Sequence, residues 1–211
     1  LRGPAAVLFG AGSPGGIVNQ VTKRPTLDPF GYAEVGGGSF GQKYAAFDFG
    51  GPADQEGHWF YRLTGYGRHG GTQVEGAPDD SFYIAPAVTY KPDGATRFTF
   101  LSSFQHDNTA VTSNFLPYFG TVRPNASGLR IPRSLNVGDA GFNTFQRDQA
   151  FLGYEFEHDF NETWTFRQNL RYSFLKSFQN SDIGQLGYSN PAQTLLARYQ
   201  FRDSAKVNLF Q

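Results

Sequence analysis

Few residues here have the type and spacing to do chemistry, and most of those fail on context. Gly10-Ala11-Gly12-Ser13-Pro14-Gly15 fits G-x-G-x-x-G, the turn that seats a pyrophosphate on a helix N-terminus in dinucleotide-binding folds. That chemistry needs a strand, the turn and then a helix. Val7-Leu8-Phe9 supplies a strand, and Asp28 falls near the position of a ribose-binding acid. Gly15-Gly16-Ile17-Val18-Asn19 starts no helix, however, and Pro25 closes the stretch before a βαβ unit can form. A phosphate loop would need Gly-Lys-Ser/Thr, which is absent. The four histidines, His58, His69, His106 and His158, make no pair at metal-ligand spacing. His106-Asp107 reads as a loop hydrogen bond, and no G-x-S-x-G elbow is present. With no cysteine, thiolate nucleophiles and thiolate metal sites are excluded. The sequence reads as no enzyme: no catalytic residues, no resident cofactor and no metal ligands.

Binding is the remaining possibility, and it concentrates in residues 107–147. Asn114-Phe115-Leu116-Pro117-Tyr118-Phe119 is an aromatic cluster in a segment with no strand pattern. Aromatics on loops over a rigid scaffold either meet a ligand or pack the loop onto its neighbours, and both readings stay open. Arg123, Arg130 and Arg133 in the same stretch read as solvated cations rather than an anion site.

The elements that would carry such a loop are strands. The chain has 22 Phe, 11 Tyr and 2 Trp, with 26 Gly. Its 18 basic and 18 acidic residues cancel, which argues against a nucleic-acid partner. No methionine occurs, so an internal segment or a processed product is expected. Period-2 alternation dominates after Pro25. From Trp164 to Phe174 the even positions read Trp, Phe, Gln, Leu, Tyr, Phe and the odd ones Thr, Arg, Asn, Arg, Ser. Further apolar faces are Ala33/Val35, Ala45/Phe47/Phe49, Trp59/Tyr61/Leu63, Phe82/Ile84/Val88/Tyr90, Phe98/Phe100/Phe104, Leu152/Tyr154/Phe156 and Leu195/Ala197/Tyr199/Phe201. These predict eight strands, with 207–211 opening a ninth.

Short polar turns are predicted at 53–57, 92–95, 159–162 and 203–206, and longer excursions at 69–81, 107–147 and 179–194. A short 39–42 hairpin is the exception to this alternation. Short turns on one side and long loops on the other belong to an outer-membrane β-barrel. The opposite faces, with Arg62, Thr64, Arg97, Thr99, Glu155, Glu157, Arg167, Asn169 and Arg171, would line its interior. Trp59, Phe60, Phe160 and Trp164 beside the short turns would form an interfacial girdle. A soluble β-domain with an aromatic core is the alternative left by periodicity alone.

The opening stretch adds a resemblance. Leu1-Arg2-Gly3-Pro4, Phe9-Gly10, Ser13-Pro14-Gly15-Gly16, Asn19 and Val21-Thr22-Lys23-Arg24-Pro25 are similar to the plug signature of TonB-dependent outer-membrane siderophore receptors, closest to the ferrichrome (hydroxamate) type. Tyr61-Arg62-Leu63-Thr64-Gly65, Ile84-Ala85-Pro86-Ala87, Phe98-Thr99-Phe100-Leu101, Leu116-Pro117 with Gly120-Thr121-Val122, Phe160-Asn161-Glu162-Thr163 and Arg167-Gln168-Asn169-Leu170-Arg171 extend the likeness along the chain.

The resemblance implies an all-β chain, a fragment of a plugged 22-stranded antiparallel transmembrane barrel. Residues 1–25 would end the plug, and 26–211 would begin the barrel. Eight strands alone would leave open edges, so this span is not expected to transport by itself. The implied partners are a ferric siderophore, a TonB energy-transducing complex and outer-membrane lipid in a Gram-negative bacterium, with iron held only inside the siderophore. A receptor of the same fold for another cargo, such as a cobalamin or an oligosaccharide, or a porin-like channel, is the alternative. The implied structural residues are Arg2, Gly3, Pro4, Gly10, Pro14, Gly15, Gly16, Asn19, Lys23, Arg24 and Pro25. The implied ligand contacts are Phe115, where the type carries Trp, and Tyr118. They extend to Ser113, in place of a family tyrosine, and to Tyr188, near Ile183 and Gln185 where the family has a tyrosine pair.

Overall fold

The computed structural model describes residues 21–110 and 115–211. The predicted site residues Arg2, Gly3, Pro4, Gly10, Pro14, Gly15, Gly16, Asn19 and Ser113 lie outside the described residues. Eight strands form one antiparallel sheet in sequence order: β1 (Phe30–Gly37), β2 (Lys43–Pro52), β3 (Trp59–His69), β4 (Asp79–Tyr90), β5 (Thr96–Thr109), β6 (Thr144–Asp159), β7 (Thr165–Tyr188) and β8 (Leu196–Phe210). Each of the eight predicted strands is there.

Register converts the alternation into two surfaces. One continuous row runs Tyr61–Val88–Phe100–Tyr154–Leu170 from β3 to β7. The adjacent row, one residue along, runs Arg62–Ala87–Leu101–Gly153–Arg171 on the opposite surface. The first surface leaves large apolar side chains uncovered, Leu152 at 55% exposure among them. Water would penalise such a patch and hydrocarbon would not. Trp59 stacked on Tyr90 at 4.4 Å and Phe98 stacked on Tyr154 at 5.6 Å mark its lower rim, with Phe160 and Trp164 beyond. Its upper rim is the row Ile84–Phe104–Ala150–Phe174. Six residue steps on β5 separate the rims, roughly 20 Å of strand, to which the outlying aromatics add. Directly above, the same surface turns charged in the row His106–Asp148–Lys176–Lys206.

Pro86 lies inside this sheet, where it cannot donate to the ladder. The Ser102 hydroxyl on β5 donates to the Pro86 carbonyl at 3.0 Å and ties the two strands there.

The lower turns share one device. Asp54 accepts the His58 and Trp59 amides at 3.1 and 3.0 Å, Asp93 those of Ala95 and Thr96 at 2.9 and 2.6 Å, and Asn161 those of Thr163 and Trp164 at 2.9 Å each. A short side chain that mimics a backbone turn is why Asx residues open these connections.

Four expectations are corrected. Residues 203–206 form no turn and 207–211 open no ninth strand: β8 pairs with β7 from Tyr188↔Leu196 to Tyr172↔Phe210. The polar composition there reflects strand above the apolar band, not a reversal. For the same reason the predicted excursion at 179–194 shrinks, since β7 continues to Tyr188. Phe60 belongs to no girdle. It is 7% exposed and faces inward, because its neighbour Trp59 takes the outward position in a period-2 strand. The predicted alternation itself holds after the first hairpin, with 53–58, 91–95 and 160–164 short and 70–78, 110–143 and 189–195 longer, and residues 110–143 carry most of the asymmetry.

Two outcomes follow. Leu152→Arg in the full-length protein places a charge on the outward band and should destabilise the fold by about 2–4 kcal/mol, read by urea unfolding in lipid vesicles; an unchanged midpoint would place Leu152 off the lipid surface. The Trp59 amide first, and the His58 amide with it, hold the Asp54 carboxyl below the usual carboxylate range. A depressed acid stabilises the fold above its ordinary value and loses that contribution as pH falls through the lowered one. Protection factors of the His58 and Trp59 amides should therefore hold from pH 7 into the ordinary carboxylate range and decline below it. Asp54→Asn, which keeps the acceptor, should abolish that pH dependence.

Candidate functional site

Two stations are built on this sheet. The lower is a clasp where residues 22–24, ahead of β1, cross the polar surface. Asp48 on β2 is its centre, with its side chain 10% exposed. Its carboxylate accepts from Lys23 Nζ at 2.7 Å, from Arg62 Nε at 2.9 Å and Nη2 at 2.7 Å, and from Thr64 Oγ1 at 3.0 Å. Arg62 also donates to the Arg24 carbonyl at 3.1 Å. Across the sheet Arg24 forms a fork with Glu155 on β6, Nε to Oε2 at 2.8 Å and Nη2 to Oε1 at 2.6 Å. Arg171 on β7 donates to Thr22 Oγ1 at 3.0 Å while stacking over Phe151 at 4.0 Å. Lys23 and Arg24, adjacent in the chain, reach β2 and β6 respectively. The fork at Glu155 raises the Arg24 guanidinium above its usual value.

Sequence reasoning placed Arg62, Thr64, Glu155 and Arg171 on this polar side, and the resemblance counted Lys23 and Arg24 among the structural residues that end the plug. Both missed Asp48. The available signal was a lone acid in Ala45-Ala46-Phe47-Asp48-Phe49, at the alternate position of an apolar strand.

The upper station is the long connection 110–143. Phe115, Tyr118 and Phe119 are 56%, 52% and 49% exposed, and the last two rings meet edge-on at 5.3 Å. The Phe115 amide donates to the Gly184 carbonyl of β7 at 3.1 Å, and the Tyr188 hydroxyl to the Phe119 carbonyl at 2.8 Å. The structure thus brings Phe115, Tyr118 and Tyr188 together. Ile183 is buried. Arg130 caps the Thr121 and Val122 carbonyls at 2.7 and 2.8 Å, which gives that cation a loop-holding role. Farther along, the Asp139 amide donates to the buried Asp182 carboxylate at 3.0 Å, and Asn143 Oδ1 accepts the Asp182 amide at 2.6 Å. Among the described residues no group of His, Asp or Glu is placed to hold a metal ion.

No protein-family model matches the chain. Over 192 residues it is 43% identical to the ferrichrome outer membrane transporter/phage receptor of Escherichia coli K12, a match covering 91% of this chain and 26% of that protein. The chain belongs to the TonB-dependent outer-membrane siderophore-receptor family. The ferrioxamine receptor of Yersinia enterocolitica is 30% identical over 210 residues, covering 100% of this chain and 28% of that receptor. The chain therefore spans about a quarter of the length of these curated relatives. Among solved structures, the ferripyoverdine receptor of Pseudomonas aeruginosa bound to ferripyoverdine superposes with a TM-score of 0.79 at 19% identity, over 98% of this chain and 27% of that one. The open form of the ferric-catecholate import receptor of E. coli K12 gives 0.75 at 19%, over 99% and 33%. These two show the fold. In a family of outer-membrane receptors the apolar band faces that membrane, and the family's members named here are receptors and transporters, not enzymes.

The clasp residues differ in burial, and their removal should differ in cost. Asp48→Asn leaves the Arg62 guanidinium, its side chain 17% exposed, without its carboxylate and should cost the full-length receptor about 3 kcal/mol. Glu155→Gln, against an Arg24 side chain 48% exposed, should cost under about 1 kcal/mol. Urea unfolding in vesicles reads both, and equal costs would refute Asp48 as the centre.

Proposed function

We propose that this chain is part of a receptor that binds a ferric siderophore at the cell surface and takes it up with energy delivered through TonB. Residues 1–25 are the end of its plug domain and 26–211 the start of its barrel. The observation that carries this reading is the exposed aromatic cluster Phe115/Tyr118/Phe119, held to the outer end of β7 above the apolar band by the Phe115 amide and by the Tyr188 hydroxyl. Flat aromatic faces fixed on a rigid scaffold suit a bulky organic ligand, which they can contact with little loss of side-chain freedom. Iron arrives as cargo inside the siderophore, so the protein contacts the organic shell and supplies no metal ligand. A hydroxamate siderophore is the specific assignment. It is supported by the relatedness to receptors for ferrichrome and ferrioxamine. The clasp at Asp48 and Glu155 serves this function by anchoring the plug's end while ligand and TonB act on the rest.

Titrating the full-length receptor with ferrioxamine B and with ferrichrome, following quenching of protein fluorescence, tests the proposal. Binding at micromolar ligand or tighter is expected, and Phe115→Ala should weaken it about tenfold, the worth of one aromatic contact. No binding of either ligand would overturn the hydroxamate assignment. Unchanged affinity in the variant would remove Phe115 from the site.

A further inference from the structure

Tyr188 sits at an irregular point of the sheet. Register between β7 and β8 shifts between Gly184 and Tyr188, and pairing resumes at Tyr188↔Leu196. Such a bulge re-aims the side chain that follows it. Here the half-buried Tyr188 directs its hydroxyl at the long connection and donates it to the Phe119 carbonyl. The acceptor belongs to the single turn Tyr118–Thr121, whose next residue, Gly120, is buried with φ +100°. A Cβ built on Gly120 would fall onto the Tyr188 hydroxyl and lie 3.1 Å from Ile131 Cδ1. Only glycine fits that backbone and that gap. Gly120 is also held from both sides along the chain, its amide donating to the Arg123 carbonyl at 2.6 Å and its carbonyl accepting the Ile131 amide at 2.7 Å.

A second docking point lies on the β7–β8 connection. Gln193, a non-glycine residue at φ +55°, accepts the Ala126 amide on its side chain at 2.7 Å and Asn125 Nδ2 on its carbonyl at 2.9 Å. Backbone strain of this kind persists where surrounding contacts over-determine it.

We infer that Tyr188 is a positioning residue for ligand capture: its hydroxyl locks the Tyr118–Thr121 turn against the end of β7 and so sets where the rings of Phe115, Tyr118 and Phe119 stand. The inference rests on the siderophore-receptor reading for the word capture, but not for the lock. Tyr188 spends its one donor on the protein's own backbone, so it contributes to affinity through the rings it places rather than through a donated bond to the ligand.

The test uses the full-length receptor and Tyr188→Phe, which removes the hydroxyl and keeps the ring. Without ligand, amide exchange over residues 118–131 should accelerate at least tenfold, while the 150–158 segment of β6 stays unchanged. Unchanged exchange at 118–131 would overturn the lock. With ferrioxamine B, Tyr188→Phe should weaken binding several-fold in the natural background and no further in a Phe115→Ala/Tyr118→Ala/Phe119→Ala background, since the hydroxyl acts only through those three rings. Losses that add would make Tyr188 a direct contact and overturn the positioning role. Gly120→Ala should reproduce both effects, and a Gly120→Ala receptor with natural exchange would also count against the lock. If the unaltered receptor binds neither ferrioxamine B nor ferrichrome, the functional assignment fails while the exchange measurement still decides the lock.

Discussion

Hydrocarbon offers no hydrogen-bond partner to a peptide group, and everything in this chain follows from that constraint. Each strand from β1 to β8 meets it by pairing with its sequence neighbours, which makes the sheet a simple meander. Once the ladder is obligatory, side chains have only two directions. One surface carries the row Tyr61–Val88–Phe100–Tyr154–Leu170 and the other the clasp residues Arg62, Glu155 and Arg171. Slipping a strand by one residue would exchange the two sets and put arginines into lipid, so register is strongly specified.

The polar surface also explains how a receptor wall can hold a separate segment. An inward-facing charge needs partners, and residues 22–24 bring them. Asp48 alone would be a desolvated carboxylate; with Lys23, Arg62 and Thr64 around it, its lone pairs are occupied. The basic pair straddles the wall, Lys23 bonded to Asp48 and Arg24 to Glu155. Chain entry into β1 is thereby fastened at two places far apart in sequence, β2 and β6.

Above the apolar band the constraint relaxes and the structure changes character. β6, β7 and β8 continue as polar strand, and the long connection folds back onto them through main-chain and Asn/Asp bonds instead of a core. That is where an aromatic cluster can remain exposed and still be held in place. The charged row His106–Asp148–Lys176–Lys206 marks the changeover on the outward surface.

Most of the wall was legible in the residues. The run from Trp164 to Phe174 declares its two faces without help, and Asp54, Asp93 and Asn161 announce the lower turns, because a strand's period and an Asx turn are local properties. The same local reading stumbled where local signals mean two things. Polar residues 203–206 look like a turn but are strand in water, and Phe60 looks like a girdle aromatic although its parity sends it inward. The site divided in the same way. Sequence determined that Phe115 and Tyr118 lie on a long connection and that Lys23 and Arg24 precede the first strand. Only the tertiary structure decided that Asp48 joins Lys23 to Arg62, and that Tyr188 reaches across to Phe119 and Gly120. Those pairings join residues tens of positions apart, and no local spacing encodes which strand will bring them within hydrogen-bond reach.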